Sequence, residues 1–105
     1  MSDGQPESIR LDKWLWQARF AKTRGRAVAL IESGAMRLNA VRVLKPATRV
    51  RIGDGLSFAL GDRILAVRIR DLGHRRGPAP EARTLYEELP PAGADTLGTE
   101  PPAEP

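Results

Sequence analysis

A chain of 105 residues has room for one domain, and the absence of cysteine excludes disulfide frameworks and thiolate metal sites. No stretch stays apolar for the ~20 residues that cross a bilayer, and the polar, acidic opening MSDGQPES is unlike a secretory signal, so the composition favours a cytoplasmic protein with no membrane partner. The formal net charge of +4 hides an asymmetry: 16 Lys or Arg face five acids between Ile9 and Arg76, whereas residues 77–105 carry one Arg and six acids. A body with that excess attracts polyanions, and its preference for Arg over Lys (14 to 3) suits planar, bidentate recognition of phosphate and base edges.

Residues 1–8 read as disordered. From Arg10 the period is helical, with Leu11, Trp14, Leu15 and Ala18 on one apolar stripe and Asp12 in the first turn, where a carboxylate favours the positive end of the helix dipole. Ala21-Lys22 breaks the stripe. Thr23 is then the N-cap of a second helix through Ser33, with Ala27, Leu30 and Ile31 toward the core and Gly34 as its stop. A capping box would place an acid at position 26; Arg26 stands there instead, which fits selection for an anion.

After Gly34 the period becomes two. Met36 and Leu38 alternate with Arg37 and Asn39, Val41 and Val43 flank Arg42, and Asn39-Ala40 is a tight turn between them. Lys45-Pro46 interrupts pairing, a short strand spans about Arg49 to Ile52, and Gly53-Asp54-Gly55 turns. Leu56, Phe58 and Leu60 alternate, then Leu65, Val67 and Ile69, with Gly61-Asp62 between. The fold class is therefore α+β: two N-terminal helices packed on a small twisted antiparallel sheet. The basic α+β unit spans 9–71; a linker and short C-terminal helix, opened by Pro80-Glu81 and ending near Leu89, span 72–89; an acidic, Pro-rich tail, 90–105, reads as disordered.

Catalytic chemistry finds little to work with. The one histidine, His74, falls in the linker, Gly53-Asp54-Gly55 lacks the following Lys-Ser/Thr of a phosphate-binding loop, and Asp12 reads as a dipole partner or salt-bridge anchor, so neither an enzyme, a cofactor nor a small-molecule substrate is expected. The positive constellation is Arg10, Lys13, Arg19, Lys22, Thr23, Arg24, Arg26, Arg37, Asn39 and Lys45, with Arg42 beside them. Lys22, Thr23 and Arg24 bracket a helix start whose free N–H groups already favour an anion, and Arg37 and Asn39 share a strand face, so helix and hairpin are expected to form one continuous basic groove. Only Glu32 stands against them between residues 13 and 53. Trp14 belongs to the core stripe; Trp16 and Phe20 either pack on the sheet and C-terminal helix or serve as stacking platforms for unpaired bases.

Arg10-Leu11-Asp12-Lys13-Trp14-Leu15, Ala18-Arg19-Phe20, Lys22-Thr23-Arg24, Ala27, Ile31-Glu32-Ser33-Gly34, Arg37, Asn39, Lys45-Pro46 and Gly53-Asp54 together resemble the RNA-binding domain named after ribosomal small-subunit protein four, over about residues 9–70. Arg75-Arg76, Pro78-Ala79, Glu81-Ala82 and Leu85-Tyr86-Glu87 are similar to the C-terminal part of the bacterial heat-shock protein fifteen family, stand-alone versions of that domain. The resemblance implies RNA along the helix–hairpin surface, contacts at the ten residues of the constellation, and a heat-shock and rescue role on large ribosomal subunits that still carry nascent chain and transfer RNA. Three positions depart from the pattern: Ala40 replaces the usual Gly after Asn39, Pro80 replaces a capping Ser, and the tail is acidic where relatives extend a basic helix. A monomer is expected. The competing readings are the RNA-binding appendage of an RNA-modifying enzyme such as a pseudouridine synthase, and a DNA-binding helix–turn–helix protein, the latter disfavoured because a basic hairpin suits irregular RNA better than a major groove.

Overall fold

The computed structural model describes residues 7–89. The N-terminal residues 1–6 and the acidic tail, both expected to be disordered, lie outside the described residues. Ser8, placed with them by sequence, is held: the Arg49 guanidinium donates to its hydroxyl and to its carbonyl, each at 3.0 Å.

Strand β1 (Ile9–Arg10) runs directly into helix α1 (Leu11–Gln17). The first turn of α1 is satisfied by the loop around Pro46. Leu11 N–H donates to the Thr48 carbonyl at 2.8 Å and Asp12 N–H to the Pro46 carbonyl at 3.2 Å. The helix ends earlier than the break at Ala21-Lys22. Arg19 N–H returns to Trp16 O and Phe20 N–H to Leu15 O, the paired bonds of a Schellman cap, with Arg19 itself in the left-handed region at φ 66°. A side chain there is strained by about 1 kcal/mol. Arg19 Nε offsets this by donating to the Gly77 carbonyl at 2.7 Å.

Helix α2 (Arg24–Glu32) begins as the sequence indicates, with the Thr23 hydroxyl accepting from Arg26 N–H at 3.0 Å, and ends before Gly34 at φ 83°. Strands β2 (Met36–Leu38) and β3 (Val41–Arg42) form the expected hairpin. Asn39 and Ala40 both take positive φ, 50° and 72°, so the turn keeps its usual shape and Ala40 bears the strain. Strand β4 (Arg49–Val50) pairs with β1 in a separate two-stranded ribbon. Strands β5 (Gly55–Leu60) and β6 (Arg63–Ile69) complete the central sheet.

The C-terminal helix is much shorter than expected. Helix α3 (Ala79–Ala82), in which Pro80 is the second residue, passes through a single 3-10 turn at Arg83–Leu85. Tyr86–Leu89 is then a strand, β7, rather than helix. It pairs antiparallel with β6, giving a five-stranded sheet in the order β3-β2-β5-β6-β7. The exposed edge of β6 explains the difference. Its N–H and C=O groups need partners, and the four-residue Tyr-Glu-Glu-Leu run supplies them while turning Tyr86 inward. Residues 72–89 are accordingly part of the body and not a linker: Leu72 and Leu85 are buried in the same core as Leu11, Trp14, Ile31, Met36, Phe58 and Val67.

Phe20 joins the halves of that core. Its ring centroid lies 5.2 Å from Phe58, 4.6 Å from Tyr86 and 6.0 Å from Trp14. Trp14 Nε1 donates to the Asp71 carbonyl at 2.9 Å, as a buried indole requires. Of the two uses weighed for Phe20, packing is the one the fold adopts. Trp16 is half-buried beneath Arg76, whose guanidinium carbon sits 5.8 Å from the ring centre and whose Nε donates to the Trp16 carbonyl. Among the described residues no helix is long and apolar enough to cross a membrane.

Candidate nucleic-acid interface

The basic surface is built around one acid. Asp12 is 2 % exposed and takes Arg10 in a two-point contact, Nε to Oδ1 at 3.0 Å and Nη2 to Oδ2 at 2.9 Å. Arg24 Nη2 reaches the same Oδ1 at 3.4 Å. Burial by itself would raise the Asp12 pKa. The Arg10 hydrogen bonds, the charges of Arg24 and Arg10 and the Lys13 backbone N–H outweigh it and hold the carboxyl below its ordinary value. One carboxylate therefore ties the start of α2 to the start of α1 and fixes two guanidinium groups whose side chains remain 46 % and 44 % exposed. The sequence gives Asp12 the helix dipole or a salt bridge, without its two partners. The signal for more was available: it is the one acid in a run of cations from Arg10 to Arg26.

Lys13, Lys22, Thr23, Arg26 and Lys45 are all exposed, and none of the four cations forms an ion pair among the described residues. Lys45 precedes Pro46, whose carbonyl receives Asp12 N–H, so it stands on the loop that covers the first turn of α1. Thr23 spends its hydroxyl oxygen on the Arg26 amide.

The hairpin carries a second group. Arg37 and Arg42 are direct cross-strand partners, opposite the buried Met36, with no acid between them. Like charges placed so cost roughly 0.2–1 kcal/mol unless an anion or solvent separates them. Arg42 also leans over the C-terminal end of α2: its Nη1 lies 3.8 Å from where a Gly34 Cβ would be, a position the helix dipole favours for a cation. The hairpin pair and the Lys22–Arg26 group thus occupy opposite ends of α2, about 15 Å apart along its axis. The expected single groove is instead an elongated surface with cations concentrated at both ends.

Two members of the constellation are already engaged by the scaffold. Arg19 closes α1 onto Gly77. Asn39 locks the hairpin tip to the 53–55 turn, donating Nδ2 to Asp54 Oδ1 at 3.2 Å and accepting Gly55 N–H on Oδ1 at 2.9 Å. Both position backbone, and neither side chain is free in the manner of Arg26 or Arg37. No cluster of three or more metal-ligating residues occurs among the described residues.

Residues 9–56 match the S4 domain family. The chain is 44 % identical to the heat shock protein 15 homolog of Haemophilus influenzae over 78 % of its own length and 62 % of that protein's. It is 34 % identical to the RQC P-site tRNA stabilizing factor of Listeria innocua, over 77 % of this chain and 89 % of that one. The solved trimeric structure of Vibrio cholerae heat shock protein 15 superposes with a TM-score of 0.76 at 40 % identity, covering 86 % of this chain and 88 % of that one. The chain spans just under two thirds of the length of the Haemophilus protein.

Proposed function

Because the chain belongs to the heat shock protein 15 family of S4-domain proteins, we propose that it is a non-catalytic, ribosome-associated RNA-binding protein of the cytoplasm. Its target in this reading is ribosomal RNA of a large subunit that still holds nascent chain and transfer RNA, where it assists rescue. The names of the relatives, a heat shock protein and a P-site tRNA stabilizing factor, support the ribosomal setting and the nearness of transfer RNA.

The observation that carries the reading is the pairing pattern of the cations. Asp12 holds Arg10 and Arg24 outward, while Lys13, Lys22, Arg26, Arg37, Arg42 and Lys45 face no acid within the described residues. Such a surface follows a phosphate backbone over a length comparable to α2, and the fixed guanidinium forks add geometry to the charge. The contact surface comprises Arg10, Lys13, Lys22, Thr23, Arg24, Arg26, Arg37 and Lys45 of the sequence constellation, with Arg42 added; Arg19 and Asn39 support it from behind.

Sedimentation of cell lysate with and without trapped nascent chains tests the proposal. The protein is expected to travel with large subunits and to be enriched when peptidyl-transfer RNA is retained; a protein left at the top of the gradient in both cases defeats it. A duplex DNA competitor that displaces it from ribosomal RNA at equal concentration would favour the DNA-binding alternative. The trimer described for the Vibrio relative lends no support to a lone chain, and light scattering on the RNA-free protein distinguishes the mass of one chain from that of three.

A further inference from the structure

Strands β1 and β4 place a second pair of arginines face to face, Arg10 opposite Arg49. The repulsion of such a pair is tolerated most easily where an anion sits between the two. Both guanidinium groups are braced before any ligand arrives. Arg10 uses Nε and Nη2 on Asp12, and Arg49 uses Nε and Nη2 on Ser8, so among the described residues each keeps its Nη1 donors free. Bracing of this kind removes much of the ordering cost of binding.

These arginines border a cleft of about 560 Å³, a size within the range of small-ligand sites. Ile9 and Leu72 give it an apolar floor. The side chains of Lys13 and His74 stand on its rim and make no hydrogen bond to other described residues. Glu7 and Asp71 are also on the rim, but Asp71 is committed to the Gly73 amide through Oδ1 and to Trp14 through its carbonyl. Apolar floor, flat imidazole and three cations together match one chemical unit, a phosphate joined to an aromatic base.

We propose that this cleft receives a single unpaired nucleotide of the bound RNA, its phosphate between Arg10, Arg49 and Lys13 and its base over Ile9 and Leu72 beside His74. The inference rests on the RNA-binding reading and adds a specificity to it. The elongated surface at the ends of α2 tracks the backbone of any structured RNA, whereas the cleft selects RNA that presents a base out of the stack. It also gives work to Arg49 and His74, neither of which belongs to the contact surface described above.

His74 is the sole histidine of the chain, so its imidazole C2 proton gives one NMR line that reports on the cleft directly. Titration of the intact protein with adenosine 5′-monophosphate at fixed pH is expected to shift that line saturably, and inorganic phosphate to shift it far less. Arg49→Gln should weaken the nucleotide titration by about tenfold, the effect of one charge-assisted bond. In the second measurement the unaltered protein should prefer an RNA hairpin with a one-nucleotide bulge over its fully paired counterpart by about tenfold, the effect of one stacked base. Arg49→Gln and His74→Ala should each erase that preference while leaving affinity for the paired hairpin unchanged; His74→Ala, which breaks no bond to other described residues, keeps the test sound should Arg49→Gln fold poorly. The proposal is overturned if phosphate alone reproduces the whole nucleotide shift, or if the bulge preference survives both substitutions. Failure of the unaltered protein to bind either hairpin would count against the RNA-binding reading, and the nucleotide titration would still decide the cleft.

Discussion

Residues 22–45 and residues 70–89 are both rich in cations, and they put them to opposite uses. The first segment holds six Lys or Arg against one acid, the second four Arg against four acids. In the C-terminal segment three of the four cations meet protein groups: Arg70 pairs with Glu87 at 3.0 Å, Arg75 with Glu81 at 2.6 Å, and Arg76 covers Trp16. Glu81 is held below its usual pKa by the Arg75 hydrogen bond. In the first segment, among the described residues, only Arg24 has an acidic partner, and that acid is shared with Arg10. The number of arginines on a surface says little about whether it binds a polyanion. The number left without an acid says more, because each of those offers donors that a phosphate can take without displacing a protein group.

The largest test of this contrast is a pair of double substitutions. Arg37→Ala with Arg42→Ala should cost roughly 2–4 kcal/mol of RNA affinity, measured by fluorescence anisotropy, taking charge-assisted bonds at about 1.5–3 kcal/mol each with incomplete additivity. Arg70→Ala with Arg75→Ala should change it by less than about 0.5 kcal/mol, because those exposed pairs are already satisfied. Equal losses would erase the distinction between the segments. Salt titration sharpens it: about six phosphate contacts give a slope of log affinity on log salt near −4 to −5, and the hairpin double variant should flatten it by about 1.5.

Asp12→Asn comes next, at roughly 1–3 kcal/mol of stability by thermal or urea unfolding, for it removes a buried charge from two arginines that are themselves about half exposed. Its pH signature has a defined sign. With the folded pKa below the unfolded one, Asp12 stabilises the fold above about pH 4 and loses that contribution as pH falls through the depressed value, so the Asn variant should show a flatter decline in acid. A steeper decline would mean that the carboxylate opposes folding. The smallest expected effect is at the hairpin tip, where Ala40→Gly should relieve the strain at φ 72° and raise stability by about 0.5–1 kcal/mol, with RNA affinity unchanged.

How far the site could be read from sequence varied with the distance over which its parts are specified. The Thr23 cap, the Gly34 stop and the Asn39-Ala40 turn are local events, settled by residues within three or four positions, and each lies where the pattern puts it. Strand β1 was not legible: two residues show no period, and Ile9–Arg10 becomes a strand only by meeting Arg49–Val50, some forty residues away. Strand β7 was misread for the same reason. Pro80-Glu81 does open a helix, but the unpaired edge of β6 recruits Tyr86–Leu89 before the helix can continue. Arg19 and Asn39 looked like free polar side chains because their partners, Gly77 and the 53–55 turn, are distant in the chain.

Composition and period thus determined that this chain would be a small basic α+β domain with two helices ahead of a sheet, and which residues would be cationic. Tertiary structure alone decided which of those cations stay available. Charge is a property of a residue, but neutralisation is a property of a pair, and Asp12 with Arg24, Arg70 with Glu87 and Arg10 beside Arg49 are pairs that only the fold brings together.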